Sequence, residues 1–130
     1  MIRNPLIIFI LLLAIYFVGF GIDVMDVDAS QYAAMSREMM ASGSYLQVYD
    51  NGIEYLDKPP FLFWVSALSM KVFGVNNFGY RLPSLLFALL AVLSTFKLTR
   101  LFYGGDIGLW AALVLAGSQG FFLMTHDVRT

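Results

Sequence analysis

Charge is scarce in this sequence, and cysteine is absent. Charged residues make up 13% of the 130 positions, whereas soluble domains carry charge at about a quarter of theirs. Hydrophobic residues make up 59% and fall in long runs without an alternating polar face. This composition indicates that lipid surrounds most of the chain. The formal net charge of -1 provides no basic field, so we expect no nucleic-acid partner.

The missing cysteine excludes a disulfide framework, a thiolate zinc site and a cysteine nucleophile. The sequence also lacks internal repeats, low-complexity stretches and linkers rich in proline or serine. We therefore expect residues 1–130 to belong to one membrane domain, and we assign no metal ligands. Three spans make a poor closed bundle, so we interpret the chain as the N-terminal part of a larger polytopic protein.

Three apolar runs predict membrane-spanning helices, at about residues 5–22, 82–101 and 107–125. A helix over the first run, at about 1.5 Å per residue, nearly crosses a hydrocarbon core of about 30 Å. We interpret this run as an uncleaved anchor, because no small-x-small signal-peptidase site precedes Asp23. The predicted fold class is an all-α membrane protein.

Positive charge predicts the orientation of these spans. Arg3 precedes the first span, and Lys97 and Arg100 adjoin the short turn between the second and third, so these ends should be cytoplasmic. Residues 23–80 then form an outer loop, periplasmic or extracellular. Within it, the apolar run at residues 61–73 is too short to span, and we predict a juxtamembrane helix at the interface.

Three acids crowd the start of the outer loop: Asp23, Asp26 and Asp28. Crowding and partial burial raise the proton affinity of a carboxylate, which brings a general base toward working pH. Asp28 is the candidate for this role. Asp26 and Asp28 also form an Asp-x-Asp pair like the metal clamp of nucleotide-sugar transferases, and this alternative stays open.

A structural interpretation of Asp28 competes with both. Asp28 can cap the N-terminus of a helix, with Gln31 as its capping-box partner and Gly43 as the left-handed exit. Asp is a preferred N-cap residue, so the sequence alone does not separate a cap from a base.

Lys58 stands directly before Pro59 and Pro60, which open the short apolar helix. An ammonium beside a helix N-terminus at the bilayer surface favours a phosphate group, such as that of a lipid. The alternative is a surface lysine that extends toward the headgroups. Arg129, after the third span, can pair with a loop acid or bind a phosphate, and the sequence does not choose.

Three motifs in this order resemble the start of a GT-C glycosyltransferase: DASQYAAMSREMMASGSY, GIEYLDKPPFLFWVSALSMKVFGVNNFGYRLPS and HDVRT. The chain is most similar to bacterial enzymes of the protein O-mannosyltransferase-like group, which includes the transferase that adds aminoarabinose to lipid A. The resemblance implies a polytopic enzyme of the bacterial inner membrane. It would move a sugar from a polyprenyl-phosphate donor to a lipid, glycan or protein acceptor at the outer face.

The resemblance also implies site residues. Asp28 matches the family acid of a D-x-x-x-Y-A pattern that includes Tyr32, and this acid is expected to activate the acceptor. Lys58 matches the basic residue near the carrier phosphate. Arg81, in the second motif, and Arg129, in the third, complete the candidate substrate-binding residues.

The implied mechanism is an inverting displacement in which the carrier phosphate leaves. The family requires no nucleotide, and some members use a divalent cation, so a cation stays open. We expect residues 1–130 alone to be inactive. The alternative is a non-catalytic membrane subunit or half of a transporter, whose loop acids only cap helices.

Overall fold

The structure is a computed structural model that describes residues 5–19 and 27–128. Several residues that the sequence singled out lie outside these ranges: Arg3, Asp23, Asp26 and Arg129. The described residues form α1 (Pro5–Gly19), α2 (Val27–Ser42), β1 (Tyr49–Asp50), β2 (Ile53–Glu54), α3 (Phe61–Phe73), α4 (Asn77–Tyr103), α5 (Gly105–Ala116) and α6 (Gln119–Asp127).

A short hairpin interrupts the helices, and the all-α prediction did not include it. β1 and β2 pair antiparallel, with Tyr49 opposite Glu54. The turn residues Asn51 and Gly52 have φ angles of 52° and 78°. Two successive left-handed residues are typical of a two-residue hairpin turn, and Asn-Gly is its preferred sequence. Apart from this hairpin, the described chain is mostly helical, in agreement with the predicted helical class.

α4 is the helix, among those described, that is long and apolar enough by itself to cross a membrane. It begins at Asn77, five residues before the predicted start at residue 82. The Asn76 side chain explains the earlier start, because it accepts a hydrogen bond of 2.8 Å from the Gly79 N–H and so caps the helix. Pro83 therefore lies inside the helix and not at its first turn.

The predicted third span is bent. α5 and α6 meet at an angle of 55° around Gly117 and Ser118, where the sequence predicted one helix. The Ser118 hydroxyl accepts a hydrogen bond from the Phe121 N–H, so a new helix starts there. α1, described over 15 residues, is shorter than the roughly 20 that a span needs. The described helices thus supply one span or two, and the count of three stays a prediction.

Two clusters of buried side chains organise the described chain. The first, the α2–α3 cluster, consists of Tyr32, Met35, Met39, Val48, Phe63, Ala67, Met70, Tyr80 and Val128. The second, the α4–α5 cluster, consists of Val92, Ala112 and Ala116, with Phe9, Leu12, Phe96, Leu115 and Phe121 packed against it. The described part of the predicted outer loop is therefore a packed unit with its own core.

The long helices expose large apolar side chains on their outer faces. Examples are Ile10 on α1, Leu90 on α4 and Val114 on α5, which are 55%, 57% and 72% exposed. Contiguous apolar surface of this extent is unusual for a chain surrounded by water and suits contact with lipid.

Candidate functional site

Asp28 lies in the first turn of α2 and not at its N-cap, because the helix already begins at Val27. Its carboxylate is exposed, whereas the sequence predicted partial burial. The first turn still favours a negative charge through the helix dipole. The capping box predicted with Asp28 as the N-cap does not form, because Asp28 lies inside the helix. The Gln31 amide nitrogen donates to an Asp50 carboxylate oxygen at 2.5 Å. The predicted exit at Gly43 is confirmed by its φ of 70°.

Tyr32 lies one turn after Asp28, so both side chains project from the same side of α2. The Tyr32 ring is buried and meets Phe63 edge to face, with centroids 5.8 Å apart. Tyr55 meets the same Phe63 ring edge to face at 6.3 Å. Phe63 of α3 thus brings together two tyrosines from different parts of the chain.

Two carboxylates share the surroundings of the Tyr55 hydroxyl. Burial raises the pKa of Tyr55 above its ordinary value of 10.0, and the nearby Tyr32, Asp57 and Asp28 raise it further. The contributions of Asp28 and Asp57 mean that both acids lie within electrostatic range of this phenol. Tyr55 therefore keeps its proton at physiological pH and can donate it in a hydrogen bond.

Lys58 follows three residues after Tyr55 and is half-buried. After Lys58 come the two prolines that were predicted to open the next helix, and the second of them, Pro60, is the N-cap of α3. The segment between β2 and α3 therefore carries a phenol, a carboxylate and an ammonium within four residues. The first two turns of α2, with Asp28 and Tyr32, face this segment through the contact of both tyrosines with Phe63.

Arg81 is 3% exposed, and its guanidinium donates to the Gly19 carbonyl of α1 at 3.0 Å. This contact joins the end of α1 to the start of α4. The neighbouring Tyr80 hydroxyl donates to the Ala29 carbonyl, also at 3.0 Å, and so joins α4 to α2. A substrate-binding role for Arg81 stays a prediction, and the contact with Gly19 indicates a structural one.

The third motif approaches the same region through α6. The two ring nitrogens of His126 lie 2.9 Å from the Phe122 carbonyl oxygen and 3.1 Å from the Tyr16 carbonyl oxygen. Gly19 permits this approach, because a Cβ there would lie 1.9 Å from the imidazole. Val128 then enters the α2–α3 cluster with 1% exposure. Arg129 lies outside the described residues, so its predicted role stays a prediction.

Metal ligands are sparse in the described part of the chain. No group of three or more histidine, aspartate or glutamate side chains there could hold a metal ion. The alternative Asp-x-Asp clamp includes Asp26, which lies outside the described ranges.

Sequence reasoning missed Tyr55 and Asp57, although both lie in the EYLDKP stretch that carried the resemblance. The sequence contained a signal for them, because Tyr55 and Asp57 lie on either side of Leu56, directly before Lys58. Their significance depends on Phe63 and Tyr32, which only the tertiary structure brings to them.

Several known proteins are similar to this chain in sequence. The family model described as dolichyl-phosphate-mannose-protein mannosyltransferase matches residues 57–130. An undecaprenyl phosphate-alpha-4-amino-4-deoxy-L-arabinose arabinosyl transferase of Pseudomonas savastanoi pv. phaseolicola is 35% identical over 94 residues, covering 72% of this chain and 18% of the relative. An uncharacterized protein of Aquifex aeolicus is 31% identical over 118 residues, covering 89% of this chain and 24% of that protein.

Two solved structures resemble the described fold. They are ArnT from Cupriavidus metallidurans in the apo state, with a TM-score of 0.85, and the same protein bound to undecaprenyl phosphate, with a TM-score of 0.86. Each is 27% identical and covers 93% of this chain and 23% of ArnT. The chain thus spans less than a quarter of the length of these relatives. It belongs to the dolichyl-phosphate-mannose-protein mannosyltransferase family, among the GT-C glycosyltransferases that resemble the aminoarabinose transferases.

Proposed function

We propose that the full-length protein transfers a sugar from a polyprenyl-phosphate donor to an acceptor at the outer face of the membrane, with inversion. One observation carries the proposal: Tyr32 and Tyr55 pack against the same Phe63 ring, with Asp28 one turn before Tyr32 and with Asp57 and Lys58 within three residues after Tyr55. This set combines a base for an acceptor with a cation and hydrogen-bond donors for a phosphate. Family membership supports the same class of reaction.

Asp28 is the proposed general base. Its exposed carboxylate can take the proton of an acceptor oxygen while that oxygen forms a bond to the anomeric carbon of the donor sugar. The bond between the anomeric carbon and the phosphate oxygen breaks at the same time. The electron pair leaves with the carrier phosphate, and attack from the opposite side inverts the anomeric centre.

Lys58 and the tyrosines are proposed to stabilise the leaving phosphate. The ammonium of Lys58 offsets the charge that develops on the phosphate oxygens. A neutral phenol has a proton that it can donate to a phosphate oxygen. Tyr55 suits this task because a phenol is neutral at physiological pH.

The donor class follows from the relatives. The curated transferases are named for undecaprenyl phosphate carrying 4-amino-4-deoxy-L-arabinose, and one ArnT structure contains undecaprenyl phosphate. We propose the same class of carrier for this protein, with a lipid, glycan or protein as acceptor. The outer-face location rests on the basic residues Lys97 and Arg100 at the far end of α4, which favour the cytoplasm.

Asp28→Asn in the full-length protein tests the base. Asn keeps the size and hydrogen-bonding capacity of the side chain but cannot take a proton, so we expect transfer to fall by about 10²-fold or more. Asp106→Asn is the matched control, because Asp106 lies in the first turn of α5, at the other end of α4. Transfer at the wild-type rate by folded Asp28→Asn protein contradicts the proposal.

A transporter half is the rival from another class. The bend between α5 and α6 is a broken helix, a feature that the sequence underestimated and that transporters share. Family membership and the phosphate-binding groups beside Asp28 favour the enzyme. Substrate movement across the membrane that persists in Asp28→Asn, without any sugar transfer by the wild type, would favour the transporter.

A further inference from the structure

Glu38 of α2 holds the turn of the β-hairpin. Its two carboxylate oxygens each accept a hydrogen bond of 2.9 Å, one from the Asn51 N–H and one from the Gly52 N–H. Two successive backbone N–H groups form a small concave site for an anion, and bonds to a carboxylate are stronger than neutral ones. Gln31, two turns earlier on the same side of α2, binds Asp50 of the same hairpin.

The strands give the hairpin little stability of its own. Each strand has two residues, and an isolated two-stranded hairpin is at best marginally stable in water. Its place against α2 therefore depends on contacts beyond the strands: the base is anchored by Val48 in the α2–α3 cluster, and the turn is held by the Glu38 carboxylate. Tyr55 follows β2 directly, and Lys58 lies three residues further along. A shift of the hairpin would move both.

We propose that Glu38 is a positioning residue for the donor site, acting through the hairpin on Tyr55 and Lys58. Its carboxylate fixes the distance between the segment that binds the donor phosphate and the first turn of α2 that carries Asp28. This inference rests on the proposed function, since it assigns Glu38 to the same site. Small displacements of binding groups can cost large factors in binding and rate.

The affinity for undecaprenyl phosphate tests the inference in the full-length protein. In Glu38→Ala we expect the dissociation constant of undecaprenyl phosphate to rise about tenfold, because the phosphate-binding groups lose their fixed position. Glu38→Gln keeps one acceptor oxygen and should give a smaller rise. The KM for the acceptor should stay unchanged in both. Glu54→Gln is the matched control, because Glu54 lies on the same hairpin with an exposed side chain.

A distance measurement separates positioning from general destabilisation. Spin labels on cysteines introduced at Ala41 and Glu54 report the distance between α2 and β2, and residues 1–130 contain no native cysteine. We expect a narrow distance distribution in the wild type and a broad one in Glu38→Ala. If Glu38→Ala does not fold, the same two measurements on Glu38→Gln decide.

An unchanged affinity or an unchanged narrow distribution in the folded Glu38 variants overturns this inference. The proposed function would still stand after such a result, provided that Asp28→Asn abolishes sugar transfer. Wild-type protein that does not bind undecaprenyl phosphate overturns the proposed function itself.

Discussion

The α2–α3 cluster and the α4–α5 cluster are built differently. Tyrosines, a hairpin and specific hydrogen bonds surround the first, such as those of Glu38 to the turn and of Tyr80 to Ala29. The second joins helices through small and apolar side chains such as Ala112 and Ala116. The candidate site residues lie around the α2–α3 cluster, where polar contacts fix the positions of side chains. The α4–α5 cluster holds together helices whose outer faces suit contact with lipid.

The largest effect expected from breaking the first cluster comes from Phe63→Ala. Phe63 is fully buried and touches both Tyr32 and Tyr55, so its loss leaves a cavity and releases both rings. We expect the free energy of unfolding to fall by about 3–5 kcal/mol. Chemical denaturation of the purified protein measures it, with Phe102→Ala as the control, because Phe102 is 70% exposed on α4. Equal effects of the two changes would contradict a packed α2–α3 cluster.

Gly52→Ala should have a smaller effect, confined to the hairpin. Gly52 has a φ of 78°, where a Cβ meets open space but strains the backbone. A left-handed conformation costs a non-glycine residue about 1–2 kcal/mol. Gly105→Ala is the control, since its Cβ also meets open space and its φ is ordinary. A loss of stability in Gly105→Ala that matches the loss in Gly52→Ala would refute the left-handed turn.

Tyr55→Phe should have the smallest effect on stability, about 1 kcal/mol, because it removes one hydroxyl group and keeps the ring. Because burial raises the pKa of Tyr55 above 10.0, folding favours its neutral form. The resulting stabilisation is complete below pH 10.0 and is lost as the pH rises through the pKa of the folded state.

Stability measured between pH 9 and pH 11 should therefore fall less steeply in Tyr55→Phe than in the wild type. Tyr103→Phe, which removes a 69% exposed phenol, should leave the slope unchanged. Identical slopes in all three proteins would mean that Tyr55 is not perturbed.

Local sequence signals predicted the elements that depend on neighbouring residues. The apolar run at residues 61–73 matches α3, and Gly43 ends α2 as expected. The bend at Ser118 was not predicted, because a single N-cap residue is not recognisable within a long apolar run. The position of the hairpin escaped as well, since it depends on Glu38, thirteen residues before the turn.

The proposed site is visible in the sequence only in part, for the same reason. Asp28, Tyr32 and Lys58 are candidates because they stand in short motifs. Tyr55 becomes a candidate only in the structure, where Phe63 packs against both tyrosines. Arg81 also has a structural contact that the motif did not indicate, because its guanidinium donates to a backbone carbonyl of α1.

The most direct test of the proposed function is to measure on which side of the membrane the hairpin and the far end of α4 lie. Cysteines introduced at Glu54, on the exposed hairpin, and at Tyr103, at the far end of α4, can be reacted in intact cells with a membrane-impermeant maleimide. We expect the cysteine at position 54 to react at once and the one at position 103 to react only after permeabilisation. Reaction at position 103 with protection at position 54 would place the donor site in the cytoplasm and contradict the proposed outer-face function.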